Sequence, residues 1–521
     1  MKDWESFFKG KKVTVMGLGL LGRGVGDVKF LAEMGAEIIV TDLKKADELK
    51  ASIEKLSQKN LGKAAERVTF ILGRHQLEDF RHRDFILKAA GVPIDSPYIA
   101  EARKNGIPVE MSTALFATFA MKEGLTIVGI TGTRGKSTVT ELVYQILQKA
   151  TEKSAGRLAK KSAKKTANRT IFLGGNVRGV ATLPLLADIK KGDIAVLELD
   201  SWQLQGFAER RISPRVSVFT TFLADHQNYY KRPSMSAEQA TDLYLDDKAA
   251  IFKYQAESDY LILGSQAEPI VRKKYGSIIK SKIIVSGAKM IPPDWKIQIP
   301  GEHNRYNIAL AVDAARAVGE ATKHGGSTNG GSMNSRSINS VSMSRFLIDE
   351  QLIKKTVENF KGVPGRLELI GEIKGVKIYN DTTATTSDAT IAALEALGNQ
   401  GRIILIAGGA DKGLDMTKLV EVMPKFCKKV ILLPGSGTDK LRLNKRVACE
   451  DVANIGKPFA GDANTRTLFV NAADLEDAVT KAIEAGERGD IIILSPAFAS
   501  FGAFKNEFDR GEQFLKIINS L

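Results

Sequence analysis

The fold of this chain is decided by the stretch Val128-Gly129-Ile130-Thr131-Gly132-Thr133-Arg134-Gly135-Lys136-Ser137-Thr138-Val139-Thr140. The apolar run 125–130 predicts a buried strand, and apolar residues at helical spacing from 138 to 148 predict a helix. A strand, a glycine-rich turn and a helix form the context that a phosphate-binding loop requires. The glycines let backbone N–H groups surround phosphate oxygens, and the helix N-terminus adds a partial positive charge. The stretch therefore predicts a nucleotide-phosphate site.

Two side chains of this loop carry the expected chemistry. Lys136 can reach the β- and γ-phosphates of a nucleotide, and Ser137 offers its hydroxyl to Mg²⁺. The general pattern places a glycine five residues before Gly135, where this chain has Ile130. An ordinary glycine-rich turn without a ligand is the structural alternative. The position of Lys136 and Ser137 at the predicted helix start favours phosphate binding.

The composition indicates a multidomain globular protein. A chain of 521 residues is too long for one core and predicts about three domains of roughly 100–200 residues each. No apolar run approaches the ~20 residues of a membrane span, and residues 1–12 lack a signal-peptide core. Cys427 and Cys449 give neither a disulfide framework nor a metal cluster. We therefore expect a protein of the reducing cytoplasm.

The net charge of +15 leaves two interpretations open. A basic excess can serve nucleic-acid binding, but no nucleic-acid motif accompanies it, and polyanionic small substrates explain it equally well. The densest basic segment, about 149–169, is expected to be a solvated insertion, with polyanion binding as the alternative. The Gly-, Ser- and Asn-rich residues 325–344 are expected to form a second, flexible insertion.

Near the N-terminus, the sequence predicts a dinucleotide-binding fold. A strand at Lys12–Met16 leads into the G-x-G-x-x-G turn Gly17–Gly22, then into a helix and a second strand that ends at Asp42. An acid ~20 residues after the last glycine completes the fingerprint. We interpret the turn as the site of a nucleotide diphosphate, with Asp42 near a ribose or a base. A close-packed turn without a ligand is the alternative.

Predicted strands and helices alternate through the rest of the chain, which argues for parallel sheets. The strands of the second domain are predicted at 170–173, 194–199 and 216–220, and those of the third at 377–379, 403–407, 430–433 and 491–494. The expected fold class is α/β with three domains: an N-terminal Rossmann-like domain (1–111), a central P-loop ATPase-like domain (112–362) and a C-terminal Rossmann-like domain (363–521).

Polar residues after these strands suggest an active site. Glu198 ends a predicted buried strand downstream of the phosphate loop, where a carboxylate can hold Mg²⁺. A buried glutamate paired with a basic residue is the alternative. His226 follows the next strand, and a structural histidine would be its default interpretation. Lys248 lies in a helical pattern, where a surface lysine is the simpler interpretation.

The motifs of the first two domains resemble those of the Mur ligases, which couple ATP cleavage to amide-bond formation. The loop reads Thr-Gly-Thr-x-Gly-Lys-Ser-Thr, a pattern that folylpolyglutamate synthetases share. Residues 197–204 resemble Leu-Glu-x-Ser-Ser-x-Gln-Leu, with Asp200 for the first serine. Residues 220–226 resemble Thr-Asn-x-x-x-Asp-His, and residues 301–311 resemble Gly-x-His-Asn-x-x-Asn-x-x-Ala.

The third domain continues the resemblance, with departures. Residues 364–368 are similar to Pro-His-Arg-x-Glu, with Gly365 for histidine. Residues 380–385 are similar to Asn-Asp-Ser-Lys-Ala-Thr, with Thr383 for lysine. Residues 494–500 match Leu-Ser-Pro-Ala-x-Ala-Ser, but Glu507 and Phe508 reverse the usual Phe-Glu. Apart from the two insertions, the resemblance covers nearly the whole chain.

The resemblance implies a role for each matched residue. The implied ATP-binding residues are Gly132, Thr133, Arg134, Gly135, Lys136, Ser137, Thr138, Asn304, Asn307, Arg366 and Asp381. The implied catalytic residues are Lys136, Glu198, His226, Lys248 and Arg366. Two Mg²⁺ ions would be held by Ser137, Glu198, His226 and Lys248, the lysine in carbamylated form. The UDP-linked substrate would contact Leu20, Leu21, Asp42, Gly91, Asn176 and His226. D-Glutamate would contact Thr385, Lys412, Ser500 and Phe501.

The implied substrates are UDP-N-acetylmuramoyl-L-alanine and D-glutamate, bound by a monomer without nucleic acid or membrane insertion. Because Arg366 and Asp381 lie on a different domain from Lys136, catalysis is expected to require domain closure. Three alternatives stay open: a Mur-type ligase for another amino acid, a folylpolyglutamate-synthetase-like ligase, and a nucleotide-binding oxidoreductase or P-loop regulator. The N-terminal glycine loop argues against the folate enzyme, and Arg366, Lys412 and Ser500 argue against a reductase.

Overall fold

Strands joined through helices build three β-sheets in the computed structural model, as the alternation of apolar runs predicts. The structure describes residues 2–20, 22–159, 169–223, 225, 227–231, 235–323, 348–439, 441 and 468–521. The chain divides into two compact units, Met1–Pro293 with Tyr306–Val357, and Asp294–Arg305 with Glu358–Leu521. The first unit holds two of the sheets and the second unit holds the third.

The first sheet is parallel and has the strand order β3-β2-β1-β4-β5. Its strands are β1 (Lys12–Met16), β2 (Glu37–Asp42), β3 (Val68–Leu72), β4 (Phe85–Lys88) and β5 (Val109–Glu110). Its helices are α1 (Asp3–Phe8), α2 (Arg23–Glu33), α3 (Lys50–Glu54), α4 (Gln58–Leu61) and α5 (Pro97–Lys104), with 3₁₀ turns at Gly62–Arg67 and Leu77–Phe80. The predicted glycine turn joins β1 to α2.

The second sheet is also parallel, in the order β11-β10-β9-β6-β8-β7. Its strands are β6 (Thr126–Thr131), β7 (Ile171–Gly175), β8 (Ile194–Glu198), β9 (Val216–Phe219), β10 (Tyr260–Gly264) and β11 (Lys282–Ser286). The accompanying helices are α6 (Ser112–Lys122), α7 (Lys136–Ala159), α8 (Ser201–Arg210), α9 (Gln227–Tyr230), α10 (Ala237–Ala249), α11 (Glu268–Tyr275), α12 (Glu302–Lys323) and α13 (Glu350–Glu358), with 3₁₀ turns at Leu183–Ala187 and Ala288–Met290.

The third sheet has the order β12-β13-β17-β14-β15-β16 and is parallel except at one edge. Its strands are β12 (Glu368–Ile373), β13 (Val376–Asn380), β14 (Ile403–Ala407), β15 (Cys427–Leu432), β16 (Phe469–Asn471) and β17 (Ile491–Leu494). Its helices are α14 (Ser387–Leu397), α15 (Thr417–Phe426), α16 (Leu475–Ala485) and α17 (Glu507–Asn519).

Strand β12, at the antiparallel edge of the sheet, was not among the predicted strands. β12 and β13 form a hairpin across Lys374 and Gly375, which both have positive φ, at 50° and 82°. Positive φ at both central residues is the signature of a type I′ turn, whose twist suits a two-residue hairpin.

The predicted strands of all three domains are confirmed, with bounds that shift by up to three residues, and the predicted α/β fold class is confirmed. Helix α7 starts at Lys136 and runs into the basic segment as far as Ala159. The rest of that segment, up to residue 168, and the insertion predicted at 325–344 lie outside the described residues. No described helix is both long enough and apolar enough to span a membrane.

Within the first unit, helix α2 packs closely on the 3₁₀ turn at Leu183–Ala187 because it carries a glycine at position 26. A Cβ on Gly26 would overlap the Cβ of Ala181 and would lie 3.9 Å from Cγ of Pro184. The apolar cluster that includes Val28 also includes Leu183. Gly26 therefore lets the first sheet's layer approach the second.

We expect Gly26→Ala to destabilise the first unit, by about 1–2 kcal/mol, because overpacking outweighs the gain in helix propensity. Gly371→Ala is a matched control, since a Cβ there meets nothing within 4 Å. Chemical denaturation of the two variants would measure the difference. Equal stability of Gly26→Ala and the parent chain would contradict this account of the packing.

Candidate active site

The phosphate loop joins the central strand β6 to helix α7, and two of its glycines adopt a backbone that other residues avoid. Gly132 has φ of 140° and Gly135 has φ of 86°, which are conformations that favour glycine. A Cβ on Gly135 would also overlap the side-chain amide of Asn307 from α12. The loop thus needs glycine at both positions, and it places one predicted ATP-binding residue, Asn307, against it.

The end of strand β9 braces the loop from the side. Thr133 N donates to Thr221 O at 2.7 Å and Arg134 N donates to Thr221 Oγ1 at 2.9 Å. The hydroxyl of Thr220 donates to Arg134 O at 2.5 Å. β6 and β9 are neighbours in the sheet, so their carboxyl ends meet, and the Thr-Thr pair fixes the loop conformation.

Two lysine side chains converge on one carbonyl of this loop. Lys136 Nζ donates to Gly132 O at 3.0 Å and to Thr133 O at 3.1 Å. Lys248 Nζ, from helix α10, donates to the same Gly132 O at 2.9 Å and approaches Thr131 Oγ1 at 3.4 Å. The positive charge of Lys136 disfavours the charged form of Lys248.

Lys248 is the more buried of the two, with 1% of its surface exposed. Its Nζ lies 4.7 Å from the ring centre of Tyr244. Burial holds the pKa of Lys248 well below its usual value, and the charge of Lys136 lowers it further. The interpretation of Lys248 as a surface helix lysine is therefore wrong, and the burial that a carbamylated lysine requires is present.

Two of the predicted magnesium ligands, Glu198 and Ser137, lie at the same edge of the sheet. Glu198 is buried at the end of β8, in register with Ile130 of β6, and Ser137 is the second residue of α7. His226 lies outside the described residues. Among the residues that the structure describes, no three His, Cys, Asp or Glu side chains form a preformed metal site. Mg²⁺ commonly takes one or two carboxylates, water and substrate phosphate, so Glu198 and Ser137 fit it.

Asp200, which replaces a serine of the family pattern, begins helix α8. Its carboxylate accepts from Gln203 N at 2.7 Å, and Gln203 Oε1 accepts from Asp200 N at 3.2 Å. This reciprocal capping box is a role that aspartate and serine perform equally well. The substitution therefore preserves the start of the helix.

A cavity of about 260 Å³ lies beside the glycine loop of the first sheet. Gly91 and Leu20 of the predicted UDP-substrate residues line it, together with Asp42. The Asp42 carboxylate accepts from Leu18 N at 2.9 Å and from Gly19 N at 3.2 Å. Asp42 thus organises the glycine loop directly. Leu21 lies outside the described residues.

The middle sheet contributes Asn176 to the same region. Asn176 Oδ1 accepts from Arg23 Nη1 at 2.8 Å, which links the turn after β7 to the first turn of α2. Arg23 also lines the cavity. The sequence interpretation included Asn176 but missed Arg23. Arg23 follows the last glycine of the fingerprint, at a position where the fingerprint specifies no side chain.

In the second unit, one turn presents Arg366. Arg366 is exposed, and the following Leu367 has φ of 46°. Asp381 holds this turn, since its Oδ1 accepts from Leu367 N at 3.0 Å and its Oδ2 accepts from Ser495 Oγ at 2.8 Å. Burial raises the pKa of Asp381 to about 7. Asn304, also in this unit, is buried and donates to Pro300 O at 2.6 Å.

Thr383 and Gly365, two departures from the family pattern, contact each other. Thr383 Oγ1 donates to Gly365 O at 2.9 Å, and Thr383 N donates to the same oxygen at 3.1 Å. Gly365 has φ of 72°, which a glycine adopts without strain. Together they close the turn that carries Arg366.

The predicted amino-acid pocket is partly assembled in the second unit. Lys412 Nζ donates to Thr385 Oγ1 at 2.9 Å. The segments that carry Lys412 and Ser500 pair through Ala410 and Ala499, with N–H···O distances of 2.9 and 3.1 Å. Ser500 is buried, and Phe501 is 68% exposed at the wall of a cavity of about 820 Å³.

A fully buried arginine that the sequence interpretation missed stabilises this arrangement. Arg510 of α17 donates through Nη2 to Thr382 O at 2.8 Å and through Nη1 to Phe498 O at 3.4 Å. It thereby ties the loop of Asp381 to the loop of Ser500. The helical spacing could have indicated its burial, because Arg510 lies four and eight residues before the buried Phe514 and Ile518, on the same face of α17.

Three family models match this chain in order. They are a Mur ligase MurD-like N-terminal domain at residues 11–110, a Mur ligase middle domain at 130–315, and a Mur ligase glutamate ligase domain at 365–498.

Curated relatives match over nearly the full length. A UDP-N-acetylmuramoylalanine–D-glutamate ligase of Roseiflexus sp. is 32% identical, over 98% of this chain and 99% of its own. The ligase of that name from Borreliella burgdorferi strain ZS7 is also 32% identical, over 98% of each chain. Among solved structures, the UDP-N-acetylmuramate–alanine ligase of Thermotoga maritima is similar in fold, with a TM-score of 0.52 and 15% identity, over 98% of this chain and 99% of that one.

We expect Lys136→Ala to reduce ADP formation at least about tenfold, because the point charge that neutralises the phosphates is lost. The fold should persist, since Lys136 is only half-buried. Lys149→Ala is the matched control, as Lys149 lies on the same helix in an exposed ion pair with Glu152. A Lys136→Ala variant that keeps more than about a tenth of the parent rate would show that Lys136 lacks this role.

Proposed function

Because the chain belongs to the Mur ligase family of ATP-dependent amide-bond-forming ligases, we propose that it joins D-glutamate to UDP-N-acetylmuramoyl-L-alanine. The product serves peptidoglycan precursor synthesis. The observation that carries the proposal is the convergence of Lys136 and buried Lys248 on the Gly132 carbonyl, since it combines a nucleotide-phosphate loop with a lysine suited to carbamylation. The full-length similarity to D-glutamate ligases supports the choice of substrates.

We assign the UDP-linked substrate to the cavity of the first unit. The glycine loop with Leu20 and Leu21 would face its diphosphate, together with Gly91 from the turn after β4. Asp42 would contact the nucleoside while it orders the loop. Asn176 and His226 would hold the sugar, with Arg23 fixing the amide of Asn176.

We propose that the reaction proceeds through an acyl phosphate at the phosphate loop. A carboxylate oxygen of the alanyl group attacks the γ-phosphorus of ATP, the bond to the β,γ-bridging oxygen breaks, and ADP leaves. Lys136 and the loop N–H groups stabilise the charge that develops on the phosphates, and we assign the same role to the guanidinium of Arg366. The amine nitrogen of D-glutamate then attacks the acyl carbon, and phosphate leaves as the amine loses its proton.

Mg²⁺ neutralises phosphate charge in reactions of this class. We assign Ser137 and Glu198 as its protein ligands, with His226 and carbamylated Lys248 holding a second ion. An unmodified ammonium at Lys248 would repel a cation. Addition of CO₂ to the neutral amine replaces that charge with an anionic oxygen ligand.

The amino acid would bind in the second unit. Lys412, held by Thr385, can receive the side-chain carboxylate of D-glutamate, while Ser500 and Phe501 complete the pocket. Asn304, Asn307 and Asp381 would contact ATP. We further propose domain bounds of 1–111, 112–362 and 363–521, a monomeric state, and a cytoplasmic location where ATP and nucleotide-linked precursors are present.

In an ADP-release assay with UDP-N-acetylmuramoyl-L-alanine and a panel of amino acids, we expect D-glutamate to be used far better than L-glutamate, L-lysine or meso-diaminopimelate. A pocket that holds the D-glutamate carboxylates leaves polar groups unpaired with the other substrates, which costs binding energy. A rate with any of the other three that equals or exceeds that with D-glutamate would assign the chain to a different Mur-type activity.

We expect Lys248→Ala to lose activity by about a hundredfold or more, because the anionic ligand for the second metal is removed. Lys248→Arg should not restore it, since a guanidinium cannot be carbamylated. Lys253→Ala should behave like the parent chain, because that lysine pairs with Asp246 at the other side of the helix end. Adding a small carboxylate should partly rescue Lys248→Ala.

Intact-protein and peptide mass spectrometry at neutral or mildly basic pH should detect the carbamate on Lys248 of the active protein. Full activity of a preparation in which Lys248 is unmodified would overturn its assignment as a metal ligand.

A further inference from the structure

Strand β4 ends in a lysine, Lys88, that forms part of the wall of the first unit's cavity. β4 pairs with β1 so that Lys88 lies opposite Met16, the residue before the glycine loop. Its side chain is 3% exposed, and it lines the cavity between Leu87 and Ala89. None of the motifs described above includes it.

The ammonium of Lys88 is bonded to backbone carbonyls. Nζ donates to Val92 O at 2.8 Å and approaches Ala89 O and Ala90 O at 3.4 Å each. These carbonyls belong to the turn after β4, which contains Gly91. No carboxylate in the described part of the chain forms an ion pair with Lys88. A buried cation held only by carbonyl dipoles retains most of the cost of its desolvation, and an anion in the cavity would reduce that cost.

The charged groups that line the cavity allow it to accept an anionic ligand. The described lining residues include two bases, Arg23 and Lys88, and two acids, Asp27 and Asp42. Asp42 already accepts two hydrogen bonds from the glycine loop. Burial raises the pKa of Asp27 to about 7, so a fraction of Asp27 is neutral near pH 7 and does not repel an anion. A diphosphate diester brings two negative charges, which Arg23 and Lys88 can balance.

We infer that Lys88 is a positioning residue for the diphosphate of the nucleotide substrate. Its ammonium holds the turn 89–92 beside the glycine loop, so that Gly91 can approach the phosphates, and it supplies a fixed positive charge behind that turn. The inference rests on the proposed function, because it takes this cavity to be the site of the UDP-linked substrate. It adds a charged residue to the diphosphate part of the site, for which the proposed function names the glycine loop and Gly91.

The protonation of Lys88 gives the inference a test by pH. Burial lowers the pKa of Lys88 to about 8. The negative charges of Asp200 and Asp247, at helices α8 and α10, oppose that shift, and the positive charge of Arg103 adds to it. The ammonium is therefore present below about pH 8 and is lost as the pH rises above it. A diphosphate binds the charged form better, so its affinity should fall across this interval. Asp27, with a pKa of about 7, lies in the same cavity, but it is present in both the parent chain and Lys88→Arg, so the difference between their pH profiles reports on Lys88.

The experiment is calorimetric titration of the full chain with UDP at about pH 7.5 and about pH 9.0. We expect the affinity of the parent chain to fall threefold or more between them, and Lys88→Met to bind about tenfold more weakly at the lower pH. Lys88→Arg should keep most of the affinity but show a smaller pH dependence than the parent chain, because arginine does not titrate there. Comparison with Lys88→Arg also removes any contribution from ionisation of UDP.

Lys29→Met is the matched control, since Lys29 lies on α2 in an exposed ion pair with Glu33. It should bind UDP as the parent chain does, and ATP affinity should be unchanged in every variant. If Lys88→Met does not fold, the parent chain and Lys88→Arg decide the question through their pH profiles. Parent-like affinity of Lys88→Met at about pH 7.5, or identical pH profiles of the parent chain and Lys88→Arg, would overturn the inference.

The inference and the proposed function fail in different ways. A parent chain that binds UDP with the expected pH dependence but releases no ADP with UDP-N-acetylmuramoyl-L-alanine and D-glutamate would refute the function alone. An active chain in which Lys88→Met keeps the parent KM for the UDP-linked substrate would refute the role of Lys88 alone. A parent chain that does not bind UDP would refute the role of Lys88, because the cavity would then not be the diphosphate site.

Discussion

The carbonyl oxygen of Gly132 accepts hydrogen bonds from two lysines, and the chemistry of the active site depends on this contact. Gly132 has a φ of 140°, a backbone conformation that glycine adopts without strain. Lys248 is sealed behind the loop and favours its neutral form, while Lys136 is half-buried and can turn toward a nucleotide. If the side chain of Lys136 turned toward a phosphate, it would give up its hydrogen bond to Gly132 O, and the hydrogen bond from Lys248 would remain. One backbone oxygen thus contacts both the lysine that we propose to bind phosphate and the buried lysine that we propose to be carbamylated.

The position of this oxygen follows from the sheet. β6 lies between β8 and β9, and the carboxyl ends of all three parallel strands meet at one edge. Glu198 therefore lies beside the phosphate loop although the two are far apart in the sequence. Thr220 and Thr221 brace the loop from the other side. The first sheet repeats the arrangement, with the glycine turn after β1 next to the turn after β4. Ligand sites at the carboxyl edge are the general rule for open parallel sheets.

The sequence predicted those features that depend on neighbours in the chain. Strand bounds and glycine turns were recovered because apolar periodicity and φ preferences are local properties. Lys88 and Arg23 were missed because the cavity wall is built from separate segments, and a lysine that ends a short apolar strand has no distinctive pattern. The burial of Lys248 was partly predictable, because Lys248 lies four and three residues after the buried Tyr244 and Leu245, on the same face of α10. The antiparallel strand β12 was missed because Lys374-Gly375 was not interpreted as a type I′ turn.

Three departures from the family pattern have a structural explanation, and each of these residues acts on the backbone, through a hydrogen bond or through its own φ. Asp200 caps α8 as a serine would, Thr383 bonds the carbonyl of Gly365, and Gly365 accepts a positive φ in the turn before Arg366. Each can change because a different side chain can satisfy the same N–H or carbonyl. A residue that must carry charge to a phosphate has no such substitute. The departures at Asp200, Gly365 and Thr383 therefore fall on the scaffold of the site, whereas the residues that we propose to carry charge to the phosphates and metal, Lys136, Glu198, Lys248 and Arg366, match the family pattern.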